Sequence, residues 1–221
     1  MREFGVSNGI AWHFTAPDAP WENGCSEALI RSVKRAIQWA VGEQVLSFSE
    51  LQTVLFETAN LLNERPIGRK PGQPEDGTYL CPNDLLLGRA SSRAPSGPWR
   101  QTTDPRHRHE FVQRIVDAFW KKWTRDYFPS LLSCQKWHSQ RRDLRVGDVV
   151  LIQDSNLVRG DWRLGLVTQV HKGRDGKVRK ADVRCRVAGL SGAAAHQSTE
   201  RMIEVTRSVH RLVLLVPVED R

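Results

Sequence analysis

The spacing of hydrophobic residues divides the 221-residue chain into helical and extended stretches. Between residues 24 and 42, Leu29, Val33, Ala36, Ile37, Ala40 and Val41 recur at helical intervals, while Glu27, Arg31, Lys34 and Gln38 share the opposite face. Residues 47–65 repeat the pattern with Leu51, Val54, Leu55, Ala59, Leu61 and Leu62; Ser47 with Glu50 reads as a capping box, and Pro66 ends the helix. A third stripe, in residues 106–140, is rich in aromatics: Phe111, Ile115, Val116, Phe119, Trp120, Trp123, Tyr127, Leu131 and Leu132, interrupted at Pro129. Such a row reads as packed core, with base stacking as the alternative because Lys121, Lys122 and Arg125 sit among the rings.

Other stretches have shorter periods. Ile10, Trp12 and Phe14 alternate as a short strand over residues 10–14, Pro17 and Pro20 impose a turn, and Asn23 is placed to cap the next helix. Residues 67–105 are turn-rich and read as an extended connector with one apolar anchor, Leu85 to Leu87. From residue 141 onward alternation takes over, in segments 146–154, 162–173, the hairpin 173–179, 180–189 and 210–218, with a loop insertion near 190–204. The predicted fold class is α+β: residues 1–66 with one short strand and two long helices, connector 67–105, helical segment 106–140, and a small antiparallel barrel of SH3-like or OB-like shape over 141–221. In that barrel Val178, Val183 and Val187 face inward.

Charge sharpens this division. Residues 1–98 carry 9 Lys/Arg and 11 Asp/Glu, and residues 99–221 carry 24 and 14, so the formal net charge of +8 resides in the second part. A polyanion is the expected partner, nucleic acid before an anionic membrane surface, with a plain solvated basic surface as the alternative. Candidate phosphate contacts are Arg141, Arg142, Arg145, Lys172, Arg174, Lys177, Arg179, Lys180, Arg184 and Arg186. Cys25, Cys81, Cys134 and Cys185 form no C-x-x-C pair, which argues against a zinc knuckle and for reduced thiols in an intracellular protein. Neither a signal peptide nor an apolar run of about 18 residues is visible, so no membrane partner is expected.

Glu27 has the most suggestive setting of the carboxylates, behind a proline turn and Gly24, with Arg31 and Lys34 one and two turns further on. Two-metal phosphoryl transfer needs several carboxylates around a pair of divalent ions. One glutamate supplies part of such a set; alternatively Glu27 complements the positive end of its helix dipole. His107 and His109 form H-x-H without a cysteine or acidic partner at metal-binding spacing, and neither G-x-S-x-G nor G-x-x-x-x-G-K-[ST] occurs.

The string W-x-F-x-x-P-x-A-P-W-x-x-G-x-x-E from Trp12 to Glu27, followed by Ser32-Val33-Lys34, resembles the third-acid segment of retroviral-type integrase cores, most of all those of Pao/BEL-type retrotransposons. Leu62-Asn63-Glu64-Arg65-Pro66 and Pro82-Asn83-Asp84-Leu85-Leu86-Leu87-Gly88-Arg89 are similar to the same family. Phe119-Trp120-Lys121-Lys122-Trp123, Lys136-Trp137, Val146-Gly147-Asp148-Val149-Val150-Leu151, Trp162-Arg163-Leu164-Gly165 and Gly173-Arg174-Asp175-Gly176 resemble the domain that follows the core.

The resemblance implies an RNase-H-like core in which two aspartates and one glutamate hold two Mg²⁺ (or Mn²⁺) for 3′-end processing and strand transfer. Glu27 matches the glutamate, Arg31 and Lys34 match positions that contact the DNA end, and the arginine-rich barrel matches domains that bind DNA or bridge protomers. The two aspartates are expected more than 26 residues upstream of Glu27, and Asp18 in the proline turn is no substitute. The expectation is therefore a fragment that keeps nucleic-acid-binding parts, is inactive alone and binds no metal tightly. Its parent would act in the nucleus or a virus-like particle, with DNA, further copies or the rest of the polyprotein as partners. The alternatives are a non-catalytic nucleic-acid or chromatin-binding module, and a protein-interaction module that associates through the Trp-rich helix.

Overall fold

The computed structural model describes residues 4, 7–9, 11–12, 23–69, 79–88, 99, 107–132, 142–154, 159–186 and 202–220. Four helices, α1 (Gly24–Val41), α2 (Phe48–Asn63), α3 (Pro82–Leu87) and α4 (Arg108–Leu131), precede most of the strands. A two-stranded pair, β1 (Gly68–Arg69) and β2 (Tyr79–Leu80), lies between α2 and α3. The other strands are β3 (Val149–Ile152), β4 (Arg163–Lys172), β5 (Val178–Arg186), β6 (Met202–Ser208) and β7 (Leu212–Val216), the last two separated by a single 3-10 turn, Val209–Arg211. They form an open antiparallel sheet in the order β6-β5-β4-β3-β7, so the predicted α+β class holds.

Local signals account for the helix ends. Ser47 accepts the Glu50 N–H while Glu50 accepts the Ser47 N–H at 2.8 Å, which completes the predicted capping box. The same Glu50 carboxylate takes two bonds from Arg108, at 2.6 and 2.8 Å, tying the start of α2 to the start of α4. The Arg108 guanidinium, helped by the Ser47 N–H, holds the Glu50 carboxyl down at about 2. Asn23 occupies the N-cap of α1 without a side-chain capping bond.

Helix α4 is the hub. Its buried face, including Val112, Ile115, Val116, Phe119, Trp120, Trp123 and Phe128, joins α1, α2 and one face of the sheet in a single apolar cluster. Trp123 stacks on Tyr127 at 4.4 Å and donates its indole N–H to Ser32 on α1 at 3.3 Å. Trp162, just before β4, meets Trp120 edge-to-face at 5.2 Å and Trp123 at 6.0 Å. The aromatic row is thus core, as predicted. For the same reason it is not available as the association face that one reading gave it, because its rings are buried within this chain.

A second cluster covers the other sheet face, where Val150, Ile152, Val167, Ala181, Val183 and Cys185 meet Ile203 and Val205 of one edge strand and Leu212 of the other. Strand β3 is buried on both faces. Close packing here explains Gly165: a Cβ at that position would lie 2.2 Å from Val183 Cγ1 and 3.1 Å from the Arg184 carbonyl oxygen. Gly165→Ala is therefore expected to cost about 1–3 kcal/mol by overpacking, seen as a lower melting temperature. Gly24→Ala, where nothing lies within 4 Å, should cause no comparable loss.

Several expectations need correction. Residues 202–204, assigned to the loop insertion, begin strand β6, while 190–201 lie outside the described residues. The short strand at 10–14 falls mostly outside them, and Ala11 and Trp12 are not in a strand. Helix α4 continues through Pro129 to Leu131, because a proline in the last turn forfeits only one terminal bond. Leu85, Leu86 and Leu87 are 59–70% exposed, so they are no anchor; α3 instead buries Asn83. On α2, Leu51, Leu55 and Ala59 are exposed, and Val54, Thr58 and Leu61 form the inner face.

Candidate nucleic-acid interface

The β4–β5 hairpin concentrates the predicted cations. The D-G turn is closed by Gly173 and Lys177, with the Gly173 N–H donating to the Lys177 carbonyl at 2.8 Å, and Gly176 takes a left-handed φ of 73°. This tight reversal brings Lys172, Arg174, Lys177, Arg179 and Lys180, all exposed, around one loop tip. Beyond it, β5 alternates: Ala181, Val183 and Cys185 are buried, whereas Lys180, Arg184 and Arg186 are exposed on the opposite face. Register places Lys180 between His171 and Ser208, Arg184 between Leu166 and Glu204, and Arg186 beside Met202.

Residues 172–186 thus carry seven Lys/Arg against Asp175 and Asp182. Both carboxylates are engaged. Asp175 pairs with Arg179, whose guanidinium and the Lys177 N–H hold the Asp175 carboxyl below its ordinary range. Asp182 accepts from Thr206 at 2.6 Å and lies 2.7 Å from His171 Nε2; the hydroxyl and the imidazole depress its carboxyl too. Exposed cations on a polar surface can meet phosphates without desolvation of a core, and they fix position without reading sequence.

Arg142 and Arg145 behave differently from the prediction. Arg142 forks onto the fully buried Asp148 with two 2.7 Å bonds and also grips Glu219 at 2.7 Å. Arg145 pairs with Glu219, and its backbone N–H donates to Asp148 at 2.7 Å. These two arginines bind the start of the sheet to its end and are committed to the fold rather than to a ligand. Arg141 lies outside the described residues.

Glu27, Arg31 and Lys34 are exposed on α1, with the packed face of the helix turned toward α4. Their shared face matches the helical prediction, but they sit on a separate element from the hairpin. Among the described residues there is no group of three or more His, Cys, Asp or Glu side chains able to hold a metal ion. The described residues therefore do not fit a two-Mg²⁺ centre around Glu27, and no chemical step is derived through one. His107 pairs with Glu110 at 3.3 Å, a local helix contact.

Two of the resembling strings meet in space. Asn83 donates to Asn60 Oδ1 at 3.0 Å and Glu64 Oε1 at 2.6 Å, which joins the end of α2 to α3. Cys81 beside them is buried, and burial pushes its thiol up to about 11. Sequence reasoning missed Arg159, which is buried against α2 and α4; a lone arginine in a loop offers no signal of burial. Among the described residues, no helix is long and apolar enough to cross a membrane.

Residues 107–215 match a family of unknown function, DUF5641. The matched stretch begins one residue before α4 and ends within β7, so it takes in the hub helix and nearly the whole sheet. No curated protein and no solved structure matches the chain.

Proposed function

We propose that the chain is the nucleic-acid-binding portion of a Pao/BEL-type retrotransposon integrase, and that the β4–β5 hairpin grips the DNA backbone. The observation that carries the DNA-binding part is the row of seven cations on one hairpin and strand, facing two carboxylates that are already engaged. The resembling strings from Trp12 to Gly176 support the integrase assignment by their shared order. An SH3-like barrel is supported by the fifth strand returning through a 3-10 turn to pair with the first, and by both edge strands sharing one apolar cluster. In this reading the parent enzyme joins element DNA to target DNA in the nucleus or a virus-like particle, with Glu27 as one of three Mg²⁺-binding acids and Arg31 and Lys34 beside the DNA end.

The test is duplex-DNA affinity against salt. Affinity should fall steeply with salt and vary little with sequence, with a log–log slope of about 0.9 per phosphate neutralised. Reversing charge at Arg179 and Lys180 should weaken binding about tenfold or more and flatten that slope. Unchanged affinity in that variant would rule out this face.

A protein-interaction role is the second reading, favoured by the exposed Phe48, Leu51, Leu55 and Phe56 along α2. It expects little salt dependence of any DNA binding, so the same titration separates the two.

A further inference from the structure

A cavity of about 290 Å³ opens between the C-terminal half of α4 and the ends of β3 and β7. Trp120, Phe128 and Trp162 form its apolar wall, and Lys121, Arg125 and Arg211 stand around it, together with the Gln153 amide and the Asp154 and Asp161 carboxylates. The wall presents ring faces and edges at differing angles, since Trp162 is edge-on to Trp120 and tilted 37° to Phe128. Trp162 is 8% exposed, and its indole N–H is buried without a hydrogen-bond partner. An unsatisfied donor in an aromatic-walled cavity calls for an acceptor.

We infer that this cavity receives one unpaired nucleobase, with the phosphate that follows it held by Arg125, Arg211 and Lys121. The inference rests on the DNA-binding reading above. Aromatic walls favour a flat heterocycle of any sequence, because every base has a π-face. The carboxylates then add a preference. Asp side chains accept from the amino groups of bases, as in recognition of the cytosine amino group, so cytosine, adenine and guanine fit better than thymine. Asp154 already holds Arg163 at 2.9 Å, but a carboxylate offers about four acceptor positions, so such a partner leaves room for a base N–H. The same two carboxylates disfavour an acidic peptide, the other ligand that cations beside an apolar cavity would attract. The cavity lies at the opposite end of β4 from the hairpin tip, so a DNA backbone tracking the cations along β5 runs toward it.

The experiment uses the full chain and compares a short blunt duplex with the same duplex bearing a single-stranded extension of dC or dT. The dC extension is expected to bind about tenfold tighter than the blunt duplex, in line with stacking of one base, and the dT extension less. Arg211→Glu, an exposed position, should remove that gain while leaving blunt-duplex affinity within about twofold. Asp161→Asn should reduce the preference for dC over dT. A blunt duplex that binds with no gain from either extension, or a gain that survives Arg211→Glu, overturns the inference and leaves the hairpin reading standing. Binding of the extension without the duplex supports the cavity and overturns the hairpin; binding of neither overturns both. Binding of an acidic peptide that competes with the extended duplex but not the blunt one, with no dC preference, assigns the cavity to peptide and overturns the base.

Discussion

Replacing Arg159 by alanine should destabilise the protein by about 3–5 kcal/mol, measured as a lower urea midpoint at unchanged slope. Its side chain is 3% exposed, and its guanidinium reaches Asp117 at 3.1 Å, Glu57 at 3.6 Å and the Gln113 amide oxygen at 2.6 Å. Gln113, itself buried, donates to Glu57, so one cation organises residues from α2 and α4. A buried ion pair offers modest net stability against an apolar replacement, but removing one partner leaves the others charged in a poor dielectric. Here two carboxylates would be stranded.

The pH dependence of that loss has a definite sign. Burial pushes the Asp117 carboxyl above its ordinary value, while Arg159 pulls it down. Without Arg159 the carboxyl rises further, so the folded variant prefers Asp117 protonated and is penalised once pH exceeds that raised value. The gap between wild type and Arg159→Ala should therefore be widest near neutrality and shrink as pH falls toward the carboxylate range. Adding Glu57→Gln and Asp117→Asn should recover part of the loss at neutral pH. A single variant that melts with the wild type at neutral pH would show that the cluster holds nothing together.

What the sequence makes legible is what local physics decides. The capping box at Ser47 and Glu50, the aromatic face of α4 and the alternation of β5 each depend on residues a few positions apart, and each appears where the spacing places it. The misplacements arise where distant partners set the outcome. Thr58 replaces Leu55 on the inner face of α2 because α4 packs over Val54 and Leu61, which shifts the face around the helix. Asn83, not Leu85, turns inward because Asn60 and Glu64 supply partners some twenty residues earlier. Strand β6 has half-buried positions and little alternation, so its pairing with β5 defines it better than its pattern does.

The candidate interface divides along the same line. Cations on the hairpin were readable because a D-G turn brings sequence neighbours together. Arg142 was not, because Asp148 and Glu219 claim it, and Glu219 is 77 residues away. A run of basic residues in sequence therefore mixes cations that face solvent with cations committed to the fold, and only the carboxylates near each one separate the two kinds.

Asp148→Ala should cost about 3–5 kcal/mol, and Asp148→Asn less, because an amide oxygen can still accept from the backbone. Asp148 is fully buried, and beside the Arg142 fork it accepts the N–H groups of Arg145 at 2.7 Å and Val218 at 2.9 Å. Burial alone would raise its carboxyl, but the Arg142 bonds and the two N–H groups outweigh this and hold it below the ordinary range. A depressed acid stabilises the fold fully above its unfolded pKa, near about 4, and loses that contribution as pH falls through the folded value. Wild-type stability should thus decline below about pH 4 more steeply than that of Asp148→Asn. Glu50 and Asp182 titrate low in both proteins, so some decline remains in the variant. Parallel pH profiles would mean that the charge on Asp148 is not what closes the sheet, and that its backbone bonds to residues on either side of the five strands suffice.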